Sequence, residues 1–509
     1  MKGDIKMEFA KYQEYFKKIT KGGKLTRFGK PFRTPEHFYF LDTGTGKVLE
    51  CTEQEYSIFE NLMANNGLNI DSLELSKHEI QVALEGVMEA IEKENIFQAT
   101  PLEKFDGAHM QDLSLAVPQN MQQIILEVTE ECNLRCDYCI YNDENDGFRD
   151  FGRHNMSWDT AKKAIDYIFK TSLRDEIFIG FYGGEPLLRF DLIKKCVEYA
   201  LNNKADKDVI FAMTTNGVLM TPDKADFFSS VPQFSLMFSL DGDKETNNEH
   251  RKMKNGQGSF DLAFQGYKNA LEAYGEEKKH CISISTVVSP PYSTEKFNRM
   301  QEFFITSANN LQLNCTYVSH PTKKSVKSAW DEKTKVENRM PLLAWEKQRE
   351  FEEKEKSFTR AQQNSLFLKI HKRPIIDTPI PWHKFNGCCL PGTRRLYVTT
   401  EGKFMACERI GESPIIGDVK NGLDIEAIQK YFVDEYMEKS VPDCKDCWAS
   451  LLCGICYANC YNESSFDISK KRRLCADERY TVEQALIYYH ETLESNPESL
   501  EVLNEMEIV

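Results

Sequence analysis

Cys132, Cys136 and Cys139 stand at CxxxCxxC spacing in "CNLRCDYC", and a second crowd of thiols follows far downstream in "CKDCWASLLCGICYANC". A thiolate can act as nucleophile, redox partner or metal ligand, and spacing narrows the choice. A redox pair needs one CxxC. A structural zinc site uses paired CxxC knuckles and four ligands. Three thiolates in one loop leave a tetrahedral zinc site one ligand short, unless a fourth comes from elsewhere. They also suit a 4Fe–4S cluster whose remaining iron is open to a small molecule.

The chain has 509 residues, 16 of them cysteine, and a formal net charge of −15. Such a length exceeds one core and implies roughly two to four domains. A hydrophobic share of 41% with 28% charged residues is that of a soluble globular protein. The acidic balance argues against a nucleic-acid partner, which requires a basic face. No apolar run nears the roughly 20 residues of a membrane span, so no membrane partner is expected. The segment "MKGDIKMEFAKYQEYFKK" lacks the apolar centre of a signal peptide. The expected location is cytoplasmic, where clustered cysteines read as metal or redox ligands rather than disulfides. Cys51, Cys196, Cys281 and Cys315 are scattered through apolar or amphipathic segments and read as small buried hydrophobes.

These thiols need elements to position them. Between residues 121 and 320 the short runs "IILEVT", "EIFIGFY", "DVIFAMTT", "FSLMFSL", "CISISTVV" and "LQLNCTYV" have strand character. They alternate with amphipathic stretches such as "SWDTAKKAIDYIFK", "FDLIKKCVEYALNN" and "SFDLAFQGYKNALEAY". Ser157 and Ser259 are expected N-caps for two of these helices. The alternation predicts an α/β fold of six parallel strands with right-handed crossovers and functional loops at the strands' C-terminal ends. CxxxCxxC directly follows the first strand. Upstream, "HFYFLDTGTGKVLEC" reads as a hairpin, followed by amphipathic helices over "TEQEYSIFENLMANN" and "SKHEIQVALEGVMEAIEKENIF". Downstream, "PLLAWEKQREFEEKEKSF" predicts a long, solvated polar helix, and a cysteine-rich region begins near Gly387.

CxxxCxxC with Tyr138 before its last cysteine resembles the signature of the radical S-adenosylmethionine (SAM) superfamily. Three later strand-end loops add to the resemblance. They are "YGGEPLL", with Gly183, Gly184, Glu185 and Pro186; "TTNG", with Thr215 and Asn216; and "SLDG", with Ser239, followed by Arg251 in "NNEHR". The resemblance implies a partial (β/α)6 barrel in which Cys132, Cys136 and Cys139 hold a 4Fe–4S cluster. The open iron would bind SAM's amino and carboxylate groups, and an electron from the cluster would cleave the C5′–S bond to give a 5′-deoxyadenosyl radical. It further implies that Tyr138 lies near the adenine and that Glu185 accepts from the ammonium. Ser239 and Arg251 would contact the ribose or carboxylate, which an Arg fork can clamp. Asn247 stands where relatives often carry His.

From Cys389 the tail runs C-x12-G-x4-C, then CxxCx5C and a final Cys475. This resembles the SPASM domain of peptide-modifying radical SAM enzymes and implies two auxiliary 4Fe–4S clusters, three in all. By that likeness Cys444, Cys447, Cys453 and Cys475 hold the second, and Cys389, Cys407 and Cys456 belong to the first. The chain departs from the pattern, because Cys456 comes one residue early, Cys460 lies beyond it, and Cys388 adds a thiol beside Cys389. Which of Cys388, Cys389, Cys456 and Cys460 completes the first auxiliary cluster stays open. A pair of zinc knuckles is the competing reading. The basic run from Lys470 to Arg473 suits either an acidic peptide or a solvated surface.

The resemblance implies four parts. Residues 1–105 would be a winged-helix-like domain that recognises a peptide leader, and 121–320 the barrel. Residues 321–386 would be a helical bridge, and 387–509 the SPASM domain with a C-terminal helix. A leader would add as a strand to the first part. The likeness is to maturases that form thioether crosslinks in ribosomally made, cysteine-containing precursor peptides. Side-chain carbon linkage, as in ranthipeptides, is expected over α-carbon linkage, as in sactipeptides. A flavodoxin- or ferredoxin-type protein would supply electrons. The alternatives are a carbon–carbon crosslinking maturase, a formylglycine-forming sulfatase maturase and a non-enzymatic metal-binding module. No residue stands out as a general base.

Overall fold

In the N-terminal part, helix α1 (Ala10–Thr20) precedes strands β1 (Gly29–Arg33), β2 (Phe38–Asp42) and β3 (Val48–Cys51), which pair antiparallel in that order. The structure is a computed structural model that describes residues 9–20, 23–141, 151–289, 293–307, 312–318, 366–385 and 387–506. The polar helix expected over 341–358, with most of the expected bridge, lies outside the described residues. β2 and β3 form the expected hairpin. β1 has no strand signature because Pro31 interrupts it; Pro31 faces Phe40 on an outer strand, where a missing N–H is tolerated. Helices α2 (Glu53–Asn65) and α3 (Lys77–Glu94) each open on a capping box, Thr52 with Glu55 and Ser76 with Glu79. Phe40, Phe59, Leu62, Leu84 and Phe97 form the core between sheet and helices.

Strand β4 (Lys104–Asp106) and helix α4 (Leu113–Asn120) lead to the main sheet. Its strands are β5 (Gln123–Thr129), β6 (Glu176–Gly183), β7 (Asp208–Thr215), β8 (Phe234–Ser239), β9 (Ile282–Val288) and β10 (Gln312–Tyr317). All are parallel and adjacent in sequence order, as the alternation of runs and amphipathic stretches predicts. Helices α5 (Trp158–Thr171), α6 (Phe190–Asn203), α7 (Pro222–Ser230), α8 (Lys244–His250), α9 (Phe260–Lys278) and α10 (Thr294–Ser307) connect them. β7, β8 and β9 alternate buried with half-buried residues. The buried set, including Phe211, Leu236, Phe238 and Ile284, joins the core with residues of the helices. The other face carries small or polar side chains such as Ala212, Ser235, Ser239 and Ser285.

Ser157 caps α5 by accepting from Thr160 N at 3.1 Å. Ser259 stands at the start of α9 but does not cap it. Its hydroxyl donates to the Arg251 carbonyl at 2.8 Å and accepts from Asn247 Nδ2 at 3.3 Å.

The C-terminal region adds β11 (Trp382–Lys384), parallel to β4, and β12 (Leu396–Val398), parallel to β5; β13 (Phe404–Met405) pairs antiparallel with β12. The main sheet therefore runs β10-β9-β8-β7-β6-β5-β12-β13. Helices α11 (Glu435–Cys444) and α12 (Ile468–Ser495) follow. Leu486 and Tyr489 of α12 share a core with Phe32, Tyr39 and Leu41 of the N-terminal sheet. Among the described residues no helix is long and apolar enough to cross a membrane.

Candidate functional site

β5 ends at Thr129, and the chain continues into the loop that carries Cys132, Cys136 and Cys139. Two other loops fix its path. The segment after α8 runs antiparallel to it. Asp137 N donates to His250 O at 3.2 Å, Arg135 N to Lys252 O at 2.7 Å and Lys254 N to Asn133 O at 3.2 Å. From β6 comes the GGEP turn, where Gly184 N donates to Thr129 O and Glu185 N to Glu131 O, both at 2.8 Å. A Cβ on Gly183 would overlap Thr129 O, and one on Gly184 would overlap Glu131 O. These glycines thus admit the backbone of the cysteine loop itself.

Polar side chains then lock the loops together. Glu185 is buried, and its Oε1 accepts from Leu187 N at 3.0 Å and from the Thr215 hydroxyl at 2.7 Å. Its Oε2 accepts from Asn216 N at 2.8 Å, so lone-pair capacity remains for a further donor. Burial pushes this carboxyl up, and those donors pull it back. Pro186 opens the short turn Pro186–Arg189 that follows. Asn216 Nδ2 donates to Asn133 Oδ1 at 2.7 Å and lies 3.9 Å from Cys132 Sγ. Ser239 is half-buried at the end of β8, opposite Ser285.

Tyr138 donates its hydroxyl to Asp241 and accepts from Arg251 Nη1 at 2.8 Å. Burial opposes the Arg251 charge, but the Tyr138 oxygen that accepts from it and the nearby Asp241 carboxylate favour the charged form. Asp241 is held in turn, because its Oδ1 accepts from Val287 N at 3.0 Å and its own N–H donates to Asn247 Oδ1 at 3.2 Å. Asn247 therefore belongs to this network. Asp241 was not legible as a partner, although it lies inside "SLDG", because its role depends on a ring from another loop. Glu127 was missed too. Its Oε1 accepts from the Tyr141 hydroxyl at 2.5 Å and its Oε2 from Thr400 N at 3.1 Å, while Tyr141 lies 3.0 Å from the Tyr397 hydroxyl of β12. The cysteine loop is thus tied to the C-terminal region.

Cys132 and Cys136 are buried and Cys139 is half-buried, packed with Leu134, Tyr138, Phe151, Val218 and Met253. As free thiols they resist ionisation. Burial, then the Glu185 charge, pushes Cys132 up to about 12, and burial pushes Cys139 up to about 12. A bound metal cluster takes thiolates and displaces those protons. Asn133 Nδ2, in the same loop, is a buried donor without a partner among the described residues. The donor set fits an iron–sulfur cluster with a small polar molecule beside it.

Residues 126–304 match the family described as the Radical SAM superfamily. This chain carries a radical SAM domain. It is 39% identical to an uncharacterized protein of Methanocaldococcus jannaschii over 139 residues, 27% of this chain and 45% of that protein. It is 31% identical to the serine-type anaerobic sulfatase-maturating enzyme of Bacteroides thetaiotaomicron over 172 residues, 34% of this chain and 41% of that protein. The match thus spans less than half the length of either relative. Among solved structures, anSMEcpe with bound AdoMet and a peptide aligns at a TM-score of 0.52 and 17% identity, over 76% of this chain and 99% of that one. That likeness is one of fold.

Beyond the radical SAM domain, Cys444, Cys447, Cys453 and Cys475 line one cavity of about 330 Å³ together with Phe105, Tyr436 and Lys471. The four thiols resemblance assigns to one cluster are therefore gathered in space, and the cavity fits such a group. Cys456 lies within electrostatic reach of Cys388, Cys389, Cys407 and Cys460. Cys460 is fully buried and Cys389 exposed. Among the described residues no three His, Cys, Asp or Glu side chains are placed to share a single metal ion. The basic run offers no continuous surface to an acidic peptide. Lys470 pairs with Glu412 at 3.3 Å, Arg472 pairs with Asp443 at 2.6 Å, and Lys471 is buried.

Proposed function

We propose that this protein is a radical SAM peptide maturase that links a cysteine sulfur to a side-chain carbon in a ribosomally made precursor peptide. The observation that carries the reading is the pairing, in one chain, of the radical SAM loop network with a second cavity lined by four cysteines. Cys132, Cys136 and Cys139 would hold the SAM-binding 4Fe–4S cluster. Cys444, Cys447, Cys453 and Cys475 would hold one auxiliary cluster, and Cys389, Cys407 and Cys456, with Cys388 or Cys460, the other. When bound, these groups supply one-electron cleavage of SAM, hydrogen abstraction and a route for the surplus electron.

The chain's own residues set the geometry. Arg251, fixed by Tyr138 and Asp241, presents a cation suited to a carboxylate. Glu185 keeps acceptor capacity for an ammonium while it braces the loop at Thr215 and Asn216. The N-terminal sheet, with β3 as an outer strand, supports leader binding by strand addition. A flavodoxin- or ferredoxin-type protein would supply electrons. The sulfatase-maturating relative favours a second reading, oxidation of a Ser or Cys in a peptide to formylglycine.

The test is an anaerobic reconstitution with metal, sulfide and product analysis. The parent should hold about twelve irons, and the Cys132→Ala/Cys136→Ala/Cys139→Ala variant about eight. Zinc with almost no iron would sink the reading. A precursor that loses two hydrogens and one free thiol per crosslink supports thioether formation. An unchanged thiol count excludes it, and formylglycine in a sulfatase peptide selects the second reading.

A further inference from the structure

Lys471 lies on α12 between Lys470 and Arg472, yet it does not join their ion pairs with Glu412 and Asp443. It is 3% exposed. Its Nζ stands 3.5 Å from Cys444 Sγ, over the Tyr436 ring at 4.7 Å and the Phe105 ring at 5.7 Å. All four residues line the cavity that gathers Cys444, Cys447, Cys453 and Cys475. A buried ammonium is costly unless an anion or strong acceptor meets it. Two aromatic faces compensate in part, and a neutral thiol is a weak acceptor. The arrangement becomes favourable once the cavity holds negative charge.

We propose that Lys471 is a positioning residue that tunes the cluster held by Cys444, Cys447, Cys453 and Cys475, donating an N–H to the Cys444 thiolate and stabilising the reduced state. The inference rests on reading those cysteines as cluster ligands. Reduction adds one electron and one negative charge without making or breaking a bond. A fixed cation at hydrogen-bond distance lowers the energy of the reduced form more than that of the oxidised form. Cluster charge and hydrogen bonds to sulfur are established levers on potential, and low local dielectric strengthens both. The effect is to raise the reduction potential, which makes this cluster a better acceptor for an electron leaving the substrate.

The experiment is a reductive titration of the full-length, reconstituted protein followed by electron paramagnetic resonance, with iron counted in each sample. Lys471→Met should retain the parent's iron and show one auxiliary signal whose reduction equilibrium falls about tenfold or more, equivalent to about 59 mV for one electron. Lys471→Arg should keep the parent potential. Full iron with unchanged potentials in Lys471→Met overturns the proposal. If Lys471→Met loses iron, Lys471→Gln and Lys471→Arg decide. Loss of iron in both makes the lysine a structural support and overturns the proposal. Iron retained in both, with the potential lowered in Lys471→Gln alone, supports it. A Cys444→Ala/Cys447→Ala variant that keeps every iron of the parent would instead remove the cluster assignment on which the inference stands.

Discussion

At Glu185 one buried carboxylate collects two main-chain donors and a hydroxyl from two loops. Glu185→Gln keeps the volume but turns an accepting oxygen into an NH2 that faces one of those donors. Leaving such groups unsatisfied costs about 1–3 kcal/mol each, so the urea midpoint should fall and SAM binding weaken; an unchanged midpoint would deny Glu185 its bracing role. Arg251 makes a different demand. Arg251→Lys keeps the charge but loses the planar fork that meets Tyr138. A hydrogen bond to a charged group is worth about 1.5–3 kcal/mol. Calorimetry should therefore show SAM binding about tenfold to a hundredfold weaker, with iron content unchanged, and equal affinity would mean that charge alone suffices. The gathering of Cys132, Cys136 and Cys139 in one loop after β5 was legible from their spacing in the chain. Asp241, Asn247 and Lys471 were not, because each acquires its role from a partner on another element.

Elements were legible where a run was long enough to show its period. "DVIFAMTT" coincides with β7, and the other five runs of the main sheet begin and end within one residue of their strands. β12 and β13 span only three and two residues, too few to alternate; β12 takes the edge that β5 offers, and β13 pairs with β12. β1 is hidden by Pro31. The close seat of the GGEP turn against the cysteine loop is likewise a property of two elements together. Its test is Gly184→Ala. The added methyl must displace the backbone at Glu131, and overpacking of this kind costs about 1–3 kcal/mol. About four irons should be lost, as in the triple cysteine variant, and the denaturation midpoint lowered. Gly67→Ala, where an added Cβ meets nothing within 4 Å, is the matched control and should leave iron unchanged. Full iron in Gly184→Ala would show that the loop can yield without losing its ligands.

Across the whole molecule, the N-terminal sheet and the C-terminal helix α12 share one core, although hundreds of residues separate them in sequence. His490 sits at that junction. Its ring centroid is 4.9 Å from that of Phe32 and 5.0 Å from that of Tyr39, and its Nδ1 donates to Leu486 O at 2.7 Å. Burial lowers its pKa from 6.5 to about 4, against the opposing pull of the Leu486 carbonyl. The unfolded chain therefore binds a proton that the folded chain refuses. Stability from the neutral ring is present above about pH 6.5 and is lost as pH falls from there through about 4. A shift of that size is worth about 3 kcal/mol when complete. Protection of the β1 and β2 amides, taken as the intrinsic exchange rate at each pH divided by the observed rate, should fall across this window in the parent. In His490→Leu, which cannot take up the proton, the pH-dependent part of that fall should shrink by about the same free energy. Parent and variant profiles that coincide would move the acid sensitivity away from this junction to His109 and His383, which burial also lowers to about 4.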